Sequence, residues 1–241
     1  MIKDYFTILP FVIWAATTSI VRAQTLLHPY ISAKSHETLQ VDSVVRTANK
    51  ISFYLHIENK IEGGGWFCAS KHIEIVDEGG GMKWLASETK GIPVCPEAHK
   101  FTHAGEKLDF VLIAPAIPPG IKRISIRERC AANCFYLEDL VLDAPLNNAL
   151  HQLERGIVLY RSGKLSEALP ILERLREVPG FETEKEYGYV LYLLPRIYYE
   201  LKRPEAARKA FDTLLKSGHP EAKHYIGKLE KISFFAHIPN K

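Results

Sequence analysis

The feature that most constrains this chain is a change of hydrophobic period at Asp143-Ala144-Pro145. Before it, Ile51, Phe53, Leu55 and Ile57 alternate with Ser52, Tyr54, His56 and Glu58. Successive side chains of a strand point to opposite faces, so this alternation describes a strand with one face buried. After it, Leu150, Leu153, Ile157 and Tyr160 recur three or four residues apart, the apolar stripe of an amphipathic helix. A pattern of one period does not sit stably in the other structure. The chain is therefore expected to be α+β with two domains, and its 241 residues suffice for both.

The strand period continues through Ile73 and Ile75, Leu108, Phe110 and Leu112, Ile124 and Ile126, and Phe135 and Leu137. Turn signals separate these runs: Gly63-Gly64-Gly65, Gly79-Gly80-Gly81, and Pro115 through Pro118-Pro119-Gly120. About seven short strands punctuated in this way predict an antiparallel β-sandwich over residues 24–145. One stretch resembles a recurring edge of small immunoglobulin-like domains of exported bacterial proteins. It comprises the apolar run Leu108 to Pro115, the turn Ile117-Pro118-Pro119-Gly120, and Ile124-Ser125-Ile126-Arg127-Glu128. The resemblance implies an immunoglobulin-like sandwich.

The first 23 residues have the three-part form of a secretory signal. Lys3 precedes the apolar run Ile8 to Ala16, and Val21 and Ala23 stand before a cut at Gln24. The run is shorter than the roughly 20 residues a spanning helix needs. Export to a periplasmic or secreted location is the expectation. An oxidising compartment favours two disulfides among Cys68, Cys95, Cys130 and Cys134. Three pairings are open; the preferred one joins Cys130 to Cys134 across a hairpin and leaves Cys68 for Cys95.

Catalytic patterns are lacking. Neither Gly-x-Ser-x-Gly nor His-Glu-x-x-His occurs, and no glycine run leads into Gly-Lys-Ser/Thr. Cys95, His99 and His103 have helical spacing for three metal ligands, but Pro93 and Pro96 oppose a helix and Cys95 is a disulfide candidate. No enzyme activity, metal or cofactor is expected. Trp66 and Phe67 read as a core aromatic pair.

Residues 146–234 form the helical part. Asn147 or Asn148 is placed to cap a helix from Ala149, Ser162-Gly163-Lys164 makes a turn, and Leu165, Leu169, Leu172 and Leu175 line a second helix in which Pro170 lies near the start. Pro179-Gly180 closes it, and Thr183 with Glu186 reads as a capping box for the next helix. Pro195 predicts a kink there, Pro204 opens the partner helix, and a last helix follows Pro220.

These helix pairs resemble the tetratricopeptide family at Gly156, Tyr160, Gly163, Ala168, Leu172 and Pro179, and again at Ala207 and Phe211. In that reading Gly156 faces Ala168. Ala168 and Ala207 lie 39 residues apart, more than the family's repeat of about 34, so residues 181–187 form an insertion. Two units and a cap fall short of the usual three, and docking on the β-domain or a homodimer would supply the missing burial. The resemblance implies an inner face carrying Tyr160, Arg161, Tyr189, Tyr192, Arg196 and Tyr199, residue types enriched at binding hot spots.

An exported, non-enzymatic adaptor that binds a protein or peptide is the leading reading, and membership of a membrane-associated complex fits it. The alternative is a carbohydrate- or small-ligand-binding sandwich, motivated by Trp66, Trp84 and the glycine loops. Net charge is only +3, too small to argue for nucleic acid. From Ala149 onward 16 basic residues face 12 acidic ones, a bias that mildly favours an acidic partner.

Overall fold

The computed structural model describes residues 23–130 and 133–236. The expected signal segment, residues 1–23, lies outside them but for Ala23. The chain is α+β, with β-sheets in its N-terminal part and six helices in its C-terminal part. Among the described residues no helix is long and apolar enough to cross a membrane.

The strands are β1 (Gln24–Leu27), β2 (Ala33–Lys34), β3 (Leu39–Arg46), β4 (Lys50–Glu58), β5 (Trp66–Phe67), β6 (Ile73–Asp77), β7 (Lys83–Leu85), β8 (Glu88–Lys90), β9 (His99–Lys100), β10 (Lys107–Pro115), β11 (Arg123–Glu128) and β12 (Tyr136–Val141). One antiparallel sheet has the order β1-β3-β4-β10-β8 and a second β2-β12-β11-β6-β7, while β5 and β9 form a small ribbon. The alternation of apolar and polar residues along these strands explains the core. Phe53 and Leu55 of β4 and Phe110 and Leu112 of β10 join Ile75, Ile124, Ile126 and Leu137 of the second sheet in one buried cluster. Burying each such side chain contributes about 1.5–3 kcal/mol. Disulfides join Cys68 to Cys95 and Cys130 to Cys134.

The second sheet carries one irregularity. Between Ile124 and Ile126 the β11–β12 register shifts by one residue, and Asp139 adopts a left-handed φ of 57°. A bulge of this kind re-aims a side chain. Here it directs the Asp139 carboxylate to the Arg123 guanidinium, 2.8 Å away.

The helices are α1 (Ala144–Arg161), α2 (Leu165–Leu175), α3 (Tyr187–Glu200), α4 (Pro204–Lys216), α5 (Ala222–Leu229) and α6 (Ser233–Ala236), with a 3-10 turn at Phe181–Thr183. Several local expectations need correction. α1 begins at Ala144, not Ala149, because the Asp143 carboxylate accepts from the Leu146 N–H and Pro145 fits the first turn. Asn147 is consequently buried inside the helix. Pro170 sits mid-helix in α2 rather than near its start, while Pro195 lies inside α3 as expected. The Thr183–Glu186 capping box does not form. Thr183 donates its hydroxyl to the Gly180 carbonyl instead, and Glu186 is drawn to Arg123.

Gly156 faces Leu172 rather than Ala168. A Cβ at Gly156 would lie 2.8 Å from Leu172 Cδ2, so a larger residue there would force the Leu172 side chain to shift. α3 is central, packing against α2, α4 and α5. The helical core also takes in Val141, the last residue of β12, with Tyr30 from the β1–β2 loop packed against it.

Candidate peptide-binding groove

The backbone of the β1–β2 loop is tied to side chains of α1 and to the end of β12. The Tyr30 N–H donates to Asn147 Oδ1 at 2.6 Å, and the Tyr30 carbonyl accepts from the Val141 N–H at 3.0 Å. His151 Nε2 lies 2.9 Å from the His28 carbonyl. Tyr30 is thereby fixed against the helices, where it closes one side of a groove of about 390 Å³. Leu150, Leu153 and Ile157 of α1 and Tyr189 of α3 supply apolar and aromatic wall, and Tyr225 of α5 completes it.

Gly188 permits the approach of α5. A Cβ on it would lie 2.7 Å from the His219 ring and 3.1 Å from the Tyr225 ring. With glycine there, Tyr225 stacks on Tyr192 (centroids 5.1 Å apart, planes at 25°) and meets Tyr189 at 5.9 Å. Cations also sit over these rings. The Arg196 guanidinium is 5.5 Å from the Tyr192 ring and 5.6 Å from that of Tyr160, and Lys228 Nζ is 5.6 Å from Tyr225. Arg196 also donates to Tyr192 Oη at 2.6 Å, and Tyr160 Oη donates to Glu200. Burial first, and then the Glu200 charge against an opposing Arg196, pushes the Tyr160 hydroxyl up to about 12.

Of the six inner-face residues expected, Tyr189 lines the groove, while Tyr160, Tyr192 and Arg196 form the stack beside it. Tyr199 lies elsewhere, packed against Phe234 and Phe235 of α6. Arg161 is exposed at the C-terminal end of α1, where a cation suits the helix dipole, and joins no other member of the set. Tyr30 and Tyr225 are absent from the expected set. Tyr225 sits in a helix whose polar residues read as a cap, and Tyr30 in a loop whose partner Asn147 is 117 residues away.

Behind the groove an ion cluster joins the two parts of the chain. Arg123 of β11 reaches Asp139, and its Nη2 lies 2.9 Å from both Glu184 and Glu186. Lys185 Nζ meets Asp139 at 2.7 Å. Burial opposes ionisation of Asp139, but hydrogen bonds from Lys185 and Arg123 prevail and hold its carboxyl below the usual range. A polar cavity of about 750 Å³ opens beside the cluster, bordered by the Asp77–Gly80 turn, Lys122 and Arg127.

Elsewhere, Cys95, His99 and His103 do not converge as ligands. Cys95 is bonded to Cys68, while His99 Nε2 and His103 Nδ1 lie 3.0 and 3.6 Å from Glu106. Hydrogen bonds from the Thr102 backbone and hydroxyl, helped by His99, bring the Glu106 carboxyl down to about 2. Asp42, His56 and Asp109 gather on neighbouring strands with ligand atoms within 4.8 Å of one another. His56 there already pairs with Asp42 at 2.9 Å. Trp66 and Phe67 are not a core pair: Phe67 is buried, whereas Trp66 is 59% exposed, as alternation within β5 requires. Trp66 and Ile61 flank a cleft of about 670 Å³ next to both disulfides. Comparison with family models, with curated proteins and with solved structures finds no match in any of the three.

Proposed function

We propose that the chain is an exported, non-enzymatic adaptor. In this reading an immunoglobulin-like β-sandwich is fused to tetratricopeptide-like helix pairs, and a protein or peptide binds in the helical groove. The observation that carries it is the groove itself, walled by the first helix of each pair, α1 and α3, by α5, and by Tyr30. A concave, largely apolar channel with aromatic anchors is the kind of surface that receives a peptide. Both disulfides accord with an oxidising, exported compartment.

The test is photo-crosslinking in the exporting cell, with a crosslinking amino acid at Tyr189 in the groove or at Arg208, exposed on α4. Discrete adducts from Tyr189 alone are expected. Equal labelling from both positions would remove the groove assignment.

A second reading, a carbohydrate- or small-ligand-binding sandwich, is favoured by one observation, the exposed Trp66 beside the cleft at the disulfides. Sugars stack on such exposed rings. Silence of the whole chain on a glycan array would end this reading.

A further inference from the structure

The groove differs in charge from the helical region that carries it. The region is net basic, but Glu154, Glu186 and Glu221 line the groove against a single cation, Lys185. Lys185 is already engaged by Asp139, and Glu186 by Arg123. The charge left to face a ligand is therefore that of Glu154 and Glu221. Among the described residues Glu154 pairs only with His151, at 3.4 Å, and the Glu221 carboxylate has no ion-pair partner. Three tyrosine rings, Tyr30, Tyr189 and Tyr225, stand among these acids. Burial raises the hydroxyl pKa of Tyr30 and of Tyr225, and Glu154 and Glu186 add to the effect at Tyr30 as Glu221 does at Tyr225. Both groove walls thus lie in a negative field.

Electron-rich ring faces beside carboxylates that lack a lysine or arginine partner attract a cation. The chain uses the same chemistry on its own account, with Lys228 5.6 Å from the Tyr225 ring and Arg196 5.5 Å from the Tyr192 ring. Neither of those cations lines the groove, and Lys185, which does, is engaged by Asp139, so a further cation would come from the ligand.

The geometry points to a lysine or arginine side chain of the bound peptide, seated among Tyr30, Tyr189 and Tyr225 and facing Glu154 and Glu221. This rests on the proposal that the groove receives a peptide and gives that peptide a chemical identity: a basic residue in an otherwise apolar segment. It reverses the partner charge expected from overall composition. Tyr30 comes from the sheet region, so the seat exists only where the two regions meet.

The test is selection of a displayed random heptapeptide library on the exported chain, followed by fluorescence anisotropy with the winning peptide. Enrichment of lysine or arginine at one position is expected. Replacing that residue by norleucine should weaken binding about tenfold. In the Glu154→Gln/Glu221→Gln chain the basic and norleucine peptides should bind alike; both glutamates are exposed, so the variant folds. Winners without a basic position, a charge preference that survives in the double variant, or failure to select any peptide would each overturn the inference. Because crosslinking from Tyr189 is read separately, the cation seat can fail while the groove stands.

Discussion

The sheet region and the helical region close their cores by different means. The sheet region is self-contained: two sheets supply both faces of one apolar cluster, and both disulfides lie within it. The helical region borrows. Its core includes Val141 from the end of β12, Tyr30 packs against it, and Arg123 of β11 holds the segment before α3 by Glu184 and Glu186. The difference implies a one-way dependence, in which the sheets can fold without the helices but the helices cannot remain ordered without the sheets.

Trp66 and Trp84, the tryptophans among the described residues, both lie in the sheet region, so tryptophan fluorescence follows the sheets while the far-UV helical signal follows the helices. The largest effects should come from two core truncations. Phe53→Ala and Phe211→Ala each remove a fully buried ring and should each cost about 3–5 kcal/mol. In urea, Phe53→Ala is expected to shift both signals together, whereas Phe211→Ala shifts the helical signal and leaves fluorescence in place. Equal shifts of fluorescence in the two variants would break the one-way dependence.

Arg123→Met comes next. It leaves three carboxylates without their shared counter-charge at a site where Arg123 is only 13% exposed, and should cost about 3 kcal/mol. The helical transition should separate from the fluorescence transition and precede it. A single, unchanged transition would mean that the ion cluster contributes nothing to docking.

Gly188→Ala is smaller. Its Cβ forces the His219 and Tyr225 rings aside, for about 1–3 kcal/mol, and should reduce peptide affinity measured by anisotropy. Unaltered affinity would show that α5 does not shape the groove.

The smallest effect is that of acid. The folded Asp139 carboxyl titrates below its unfolded value, so its stabilisation is complete above the unfolded value and fades as pH falls through the folded one. The helical signal should therefore hold through mildly acidic buffer and loosen only in strong acid. Glu106, held at about 2, should keep its turn to similarly low pH. Helical loss beginning near neutrality would point to another titrating group.

Much of this architecture is legible in residue order, and the rest is hidden for physical reasons. The period change at Asp143 separates sheets from helices because each periodicity follows from backbone geometry. The start of α1 is ambiguous in the sequence because Asp143 and Asn147 are both good caps, and the side chain left over is drawn to a distant N–H. The bulge at Asp139 has no signature, since Leu137-Glu138-Asp139-Leu140 also suits a regular strand. For the groove, the Tyr189 and Tyr192 spacing marks one helix face. Tyr30 joins them only through contacts across the two regions, which no local pattern records.

Tyr30 and Tyr225 come from near opposite ends of the described chain, yet they wall the same groove. A chain shortened at either end would therefore lose a wall of the groove even if every remaining element folded. Under the proposed function, occupancy would double as a report of intactness: a partner held in the groove would certify that both the first loop and the fifth helix have arrived and docked.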